Sequence, residues 1–263
     1  MTGEARVALT PEACGVLVNA GHSVFIEQNA GINSGYLDQE YQQIGAQLVS
    51  SSQALYDAAQ LIVKVKQPLE QDIASLRSDH ILFCYLHLAA DAALVQILCD
   101  LGVTAIPFES VVDEGGQLPL LRPMSQVAGR IAAIRGASLL FRNRGGRGIL
   151  LGGIDGAEPG RVVVLGAGVA GSHALASSVA LGARVDVVDL NENKLQGLKS
   201  QYPDIETHLS TAKVIEQLCL DADLVVGAVL IAGRRAPVVL SQSVIRSMKQ
   251  GSVIVDISID QGG

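Results

Sequence analysis

The run Val162-Val163-Val164-Leu165 leads without a break into Gly166-Ala167-Gly168-Val169-Ala170-Gly171, and no other segment restricts the fold as tightly. Four apolar residues in a row read as a strand. Gly166 permits the tight turn, Gly168 lets a pyrophosphate approach the backbone, and Gly171 lets the next helix pack close to the strand. That helix begins with Val169 and Ala170 and offers unpaired N–H groups and a positive dipole end to phosphates. A second strand, Arg184–Asp189, ends in an acid 18 residues after Gly171. A carboxylate there accepts hydrogen bonds from ribose hydroxyls and repels a 2′-phosphate, which selects NAD over NADP. Arg184 stands at the wrong end of the strand to compensate. The glycine pattern alone is weak. With strand, helix and acid in register, it specifies a dinucleotide-binding Rossmann unit.

Short apolar runs alternate with helical stretches over the rest of the chain, so the expected class is α/β, with two doubly wound parallel-sheet lobes. In the first lobe strands are expected at 23–27, 61–65, 81–86 and 104–107. Thr10-Pro11 opens one helix and Asp91 caps another. In the second lobe, strands at 224–228 and 252–257 join the two already described. From Ser125 to about Phe141 the apolar spacing is helical. The glycine-rich stretch that follows, with Gly145, Gly146, Gly148, Gly152 and Gly153, is expected to lack regular structure. The boundary is placed near Pro123, giving a substrate-binding domain over 1–123 and a nucleotide-binding domain over 124–263.

With 49% hydrophobic residues among 263, the chain can bury two cores. A formal charge of −7 argues against a phosphate-coating surface, and no nucleic-acid partner is expected. Arg142, Arg144 and Arg147 read as a solvated loop. Cys14, Cys84, Cys99 and Cys219 show no CxxC spacing, so free thiols and no metal site are expected. The opening residues lack a secretory apolar region, and no apolar run approaches the ~20 residues that span a bilayer. The expectation is a cytoplasmic protein without a membrane partner.

Ligands collect at the carboxyl ends of parallel strands. Lys66, His87 and Asp260 follow three such ends, and Lys64 and Lys66 share one strand face by alternation. Strand-end lysines are commonly solvated, lone histidines are commonly satisfied core groups, and aspartates after strands are commonly caps. Position alone leaves their roles open.

Several longer motifs carry a resemblance. They are Glu4-Ala5-Arg6-Val7-Ala8-Leu9-Thr10-Pro11, Val63-Lys64-Val65-Lys66-Gln67-Pro68, Tyr85-Leu86-His87-Leu88-Ala89-Ala90 and Pro123-Met124-Ser125-Gln126-Val127-Ala128-Gly129-Arg130. Gly227-Ala228-Val229-Leu230 and Asp256-Ile257-Ser258-Ile259-Asp260-Gln261-Gly262-Gly263 continue it. With these motifs the chain resembles the alanine dehydrogenase family along nearly its whole length. The resemblance implies NAD-dependent, reversible conversion of L-alanine to pyruvate and ammonia by a homo-oligomer. It implies that Arg6 and Lys66 bind the substrate's carboxylate and carbonyl oxygen, that His87 is the acid/base, and that Asp260 is a second catalytic residue beside the nicotinamide. Ser125, Lys194, Ser210, Val229, Leu230, Ile257, Ser258, Ile259 and Asp260 would help hold NAD.

The same resemblance expects a leading strand ahead of Glu4 and a further segment after Gly263. On that pattern the chain reads as truncated at both ends. Two other readings stay open: a transhydrogenase α-subunit that moves hydride between nucleotides, and a non-catalytic NAD-binding remnant.

Overall fold

The structure, a computed structural model, describes residues 4–231, 235–259 and 262. It divides into two compact units, Met1–Gly116 and Gln117–Gly263. The division precedes the expected position near Pro123 because that proline lies inside a helix. It occupies the first turn, where a missing N–H breaks no intrahelical bond.

The first unit runs α1 (Pro11–Asn19), β1 (Phe25–Glu27), α2 (Asp38–Gln43), β2 (Gln47–Val49), α3 (Ser52–Ala58), β3 (Leu61–Val63), α4 (Glu70–Ser75), β4 (Ile81–Cys84), α5 (Ala92–Leu101) and β5 (Thr104–Pro107). Side-chain caps start several of its helices: Thr10 accepts from the Ala13 N–H and Asp91 from the Leu94 N–H. Every strand pair is parallel, but the strands form two sheets, β1-β2 and β3-β4-β5. Each sheet has its own core. Cys14, Val24, Ile26 and Tyr41 pack around the first, and Tyr56, Ile62, Leu82, Leu86 and Leu98 around the second. A cavity of about 850 Å³ lies between β1 and β3. Residues 21–27 and 58–67 line it consecutively rather than alternately. Strand edges, not sheet faces, therefore form its walls.

The second unit opens with α6 (Leu121–Leu139) and continues β6 (Arg161–Leu165), α7 (Val169–Ala180), β7 (Arg184–Asp189), α8 (Glu192–Gln201), β8 (Glu206–Leu209), α9 (Ala212–Asp221), β9 (Leu224–Gly227), α10 (Gln242–Ser247) and β10 (Val253–Asp256). Its five parallel strands are ordered β10-β9-β6-β7-β8, so the chain reverses direction across the sheet on either side of β6. That order is the Rossmann arrangement, with a switch point between β6 and β9. Alternation divides β6 between two cores. Val162 and Val164 enter one with Leu175 of α7 and Leu195 of α8, while Val163 and Leu165 enter the other with Ile215 and Leu218 of α9. The strand is a continuous apolar run because both of its faces are covered.

The glycine-rich stretch after α6 is more ordered than its composition predicts. Residues Arg142–Arg144 form a short 3₁₀ turn, and Gly145 follows it in the left-handed region at φ 87°. A β-carbon on Gly146 would lie 2.3 Å from the Leu139 carbonyl oxygen. Arg147 is not simply solvated, since its Nε lies 3.0 Å from Asp223 Oδ1. All four cysteines are free. No described helix is long and apolar enough to cross a membrane.

Candidate active site and dinucleotide site

In the first unit the residues singled out lie at the carboxyl ends of β3 and β4. Beyond Cys84 the chain leaves the ladder, with the Tyr85 N–H still donating to the Val65 carbonyl at 3.2 Å. Two residues on, His87 adopts φ 51°, a left-handed conformation unusual for a side chain larger than glycine. The His87 ring stacks near Tyr85, with centroids 6.4 Å apart and planes 19° apart. Its Nδ1 is buried with no hydrogen-bond partner among the described residues.

Arg6 faces the same aromatic ring closely enough that its charge opposes the upward push of burial on the Tyr85 hydroxyl. Its guanidinium grips the Glu4 carboxylate at two points, Nε to Oε1 and Nη2 to Oε2, both at 2.8 Å. These hydrogen bonds outweigh the effect of burial and hold Glu4 down at about 2, with a contribution from the positive charge of Lys66. Arg6, Lys66 and His87 are thus gathered around Glu4 and Tyr85. Lys64 is not free to join them. Strand β3 stops at Val63, and the Lys64 ammonium is paired with buried Asp72, which also accepts the Leu69 N–H at 2.8 Å. Asp260 lies outside the described residues.

In the second unit the glycine turn has the stereochemistry its sequence requires. Gly166 sits at φ 103°, and a β-carbon there would meet the Ala228 carbonyl oxygen at 2.6 Å. A β-carbon on Gly171 would fall 1.7 Å from the Gly166 oxygen, so only glycine allows α7 to start this close to β6. Gly168 is different: a β-carbon there would meet nothing within 4 Å. Gly168 also caps α7 without any side-chain hydrogen bond, so no capping side chain satisfies the first-turn N–H groups. An uncapped helix start beside an open approach fits a phosphate group.

Asp189 closes the other side. One carboxylate oxygen accepts from the Ala167 N–H at 2.6 Å, the other from the Asn191 N–H at 2.8 Å. The Ser210 N–H donates to the Asp189 carbonyl at 2.9 Å, which holds the end of β8 beside it. Past the ends of β9 and β10, beside the switch point, the Ser258 hydroxyl donates to the Val229 carbonyl at 2.6 Å, and the Ile257 N–H to the Gly227 carbonyl at 2.8 Å. Leu230 and Ile259 remain exposed. Lys194 is exposed in the first turn of α8. Ser125 lies one helical turn before Gly129, and a β-carbon on Gly129 would approach the Ala170 oxygen to 2.1 Å. Ser125 therefore shares the face of α6 that crosses the start of α7.

The description "Alanine dehydrogenase/PNT, N-terminal domain" matches residues 1–128, and "Alanine dehydrogenase/PNT, C-terminal domain" matches residues 132–263. The chain belongs to the alanine dehydrogenase/PNT family. Among similar family members, alanine dehydrogenase of Mycobacterium tuberculosis is 46% identical over 99% of this chain and 70% of its own. That of Bacillus subtilis is 44% identical over 99% of this chain and 68% of its own. A solved L-alanine dehydrogenase superposes with a TM-score of 0.88 at 46% identity, covering 99% of this chain and 72% of its own. A transhydrogenase from Sinorhizobium meliloti superposes with a TM-score of 0.81 at 25% identity, covering 100% and 77%. A Rossmann-type domain in this family implies a nicotinamide cofactor.

Two further residues, Tyr85 and Glu109, stand at this site. The strand-end rule that selected His87 also reaches Glu109, two residues past the end of β5.

Proposed function

We propose that this chain catalyses the NAD-dependent, reversible oxidative deamination of L-alanine, in which alanine, NAD⁺ and water give pyruvate, ammonium, NADH and a proton. When bound, the nicotinamide supplies the hydride acceptor. The chain's residues position and polarise the substrate. Arg6 binds the carboxylate, and its fork already holds one carboxylate, that of Glu4, in the required two-point geometry. Lys66 polarises the oxygen of the developing carbonyl. His87 exchanges protons with the attacking water and the carbonyl oxygen through Nε2, since Nδ1 is buried. Such a step typically contributes ~10²–10⁴-fold. Asp260 is assigned the stabilisation of positive charge on the substrate nitrogen.

Asp189 supports NAD over NADP, because its fixed carboxylate would repel a 2′-phosphate. Gly166, Gly168, Val169, Ala170, Gly171, Ser125, Lys194, Ser210, Val229, Leu230, Ile257, Ser258 and Ile259 complete the cofactor assignment. A homo-oligomer in the cytoplasm belongs to the same reading, and α6 offers an exposed apolar stripe of Val127, Ile131 and Ile134 for it.

The observation that supports this reading most is the grouping of Arg6, Lys66 and His87 around Glu4 and Tyr85 in a chain of this family. The test is NADH oxidation in the presence of pyruvate and ammonium, with NAD⁺ reduction by L-alanine as its reverse. Turnover that disappears in Lys66→Ala is expected. Hydride exchange between nucleotides without alanine would replace this reading by the transhydrogenase one. NADH binding with no turnover would reduce it to nucleotide binding alone.

A further inference from the structure

We propose that Glu109 is the positioning residue of the His87 imidazole; the proposal rests on the catalytic assignment of His87 above. Strands β4 and β5 are in register, with Cys84 opposite Pro107. Two residues further along each strand stand Leu86 and Glu109. There the ladder has ended, and the Leu86 and His87 amides have no strand to donate to. The Glu109 carboxylate replaces the strand. It accepts from the His87 N–H at 2.6 Å and from the Leu86 N–H at 3.2 Å and 3.3 Å through its two oxygens.

Leu86 is 1% exposed, so its amide has no water to turn to. Left unpaired, a buried donor keeps its full desolvation penalty and destabilises the fold. His87 has the further cost of a positive φ, which persists only where the surroundings fix it. Glu109 is itself held by an aromatic clamp. The Phe108 ring packs edge-on against Phe83 at 4.4 Å and against Tyr85 at 5.1 Å, and Tyr85 is the residue on which His87 stacks. One short turn therefore sets both the backbone of His87 and the surface under its ring. A glutamate that only satisfied stray amides would not need to share its turn with the ring that supports the histidine.

The test uses the full chain and the variants Glu109→Ala and Glu109→Gln. Two properties are read: the imidazole ¹⁵N–¹H correlation of His87, assigned by its absence in His87→Asn, and kcat and KM for pyruvate with ammonium. Glu109→Ala is expected to shift and broaden the His87 signal while the other four histidines keep theirs. It should lower kcat by on the order of 100-fold, the effect of a misplacement of about 1 Å, with NADH affinity unchanged. Glu109→Gln keeps one acceptor oxygen and should recover a well-defined signal and much of the rate. The proposal is overturned by an unshifted His87 signal in Glu109→Ala. It is equally overturned if the rate falls while the signal stays in place, since Glu109 would then act on the reactants directly. If Glu109→Ala does not fold, Glu109→Asp, whose shorter side chain withdraws the carboxylate from the two amides, decides: a His87 signal identical to that of the unaltered chain counts against the proposal. If the unaltered chain shows no turnover, the signal still decides whether Glu109 positions His87, and only the catalytic reading falls.

Discussion

Asp189 and Ala167 are joined by a 2.6 Å hydrogen bond from backbone amide to carboxylate, so the acid at the end of β7 fixes the glycine turn while keeping free lone pairs for a ligand. Asp189→Asn should weaken NADH binding by about tenfold or more, the effect of losing a hydrogen bond to a charged group. NADPH should lose less, because the repulsion of its 2′-phosphate goes with the charge. Parallel fluorescence titrations with the two nucleotides measure the ratio. An unchanged ratio would remove Asp189 from the discrimination.

Two glycines of one turn should respond in opposite ways. A methyl on Gly171 collides with the Gly166 oxygen, and Gly171→Ala should cost about 3 kcal/mol or more of stability in urea denaturation. Gly168→Ala has open space and an ordinary backbone at φ −73°. It should keep its melting temperature within about 2 °C and lose NADH affinity instead. If both variants melt alike, the clash at Gly171 is relieved by movement and the structural argument fails.

Across β6, β7 and β8, buried Asp186 accepts from Arg161 Nε at 2.7 Å and pairs with His208 Nε2 at 2.8 Å. Burial pushes its carboxyl up, but the hydrogen bonds from Arg161 and His208 win, and the net direction is down. Asp186→Asn should cost about 2–4 kcal/mol at pH 7. That is below the figure for a fully dry pair, because Arg161 and His208 keep 30% and 29% of their side chains exposed. A lowered folded pKa gives stability that is present above the unfolded value near ~3.9 and is lost as pH falls through the folded one. The gap between the variant and the parent should therefore narrow below about pH 4.

His87→Asn separates backbone from imidazole. Asparagine tolerates the left-handed region, so the fold of the first unit should survive. Turnover should fall by ~10²–10⁴-fold with NADH affinity intact, as steady-state kinetics and nucleotide titration would show. Retained turnover would remove His87 from the proton-transfer step.

Hydrogen exchange should report the split sheet of the first unit. The amides of Ile26 and Ile62 fall on the side of each strand that faces its ladder partner, while those of Phe25, Glu27, Leu61 and Val63 alternate toward the cavity. The second group should exchange at least about tenfold faster. Equal protection would mean that something already pairs with those edges.

How much of this was legible follows from which residues repeat a pattern. The β6–α7–β7 unit is explicit in sequence because glycine spacing, an apolar run and a terminal acid reinforce one another. Strand β8, Glu-Thr-His-Leu, is polar at its first three positions and lies at the sheet edge, so no apolar run announces it. Strand β2 is three residues long and only partly buried. Apolar spacing announces a helix only from Ser125, whereas α6 starts at Leu121 and carries Pro123 in its first turn, where a missing N–H breaks nothing. Strands β3 and β4 end before the expected residues 65 and 86, at Val63 and Cys84. The apolar runs continue past those points for packing reasons, and a ladder needs a partner as well as a run. Glu109 belongs to no periodicity, and its role appears only when β4 and β5 are placed side by side.

The contact between Gly129 and Ala170 decides where the chain can be divided. Two backbones that meet with no room for a methyl cannot slide past each other, so the long helix is keyed into the nucleotide-binding half and moves as part of it. Severing the polypeptide near Pro123 would strip the first turn from that helix and loosen its key, whereas severing it after Gly116 leaves the lock whole.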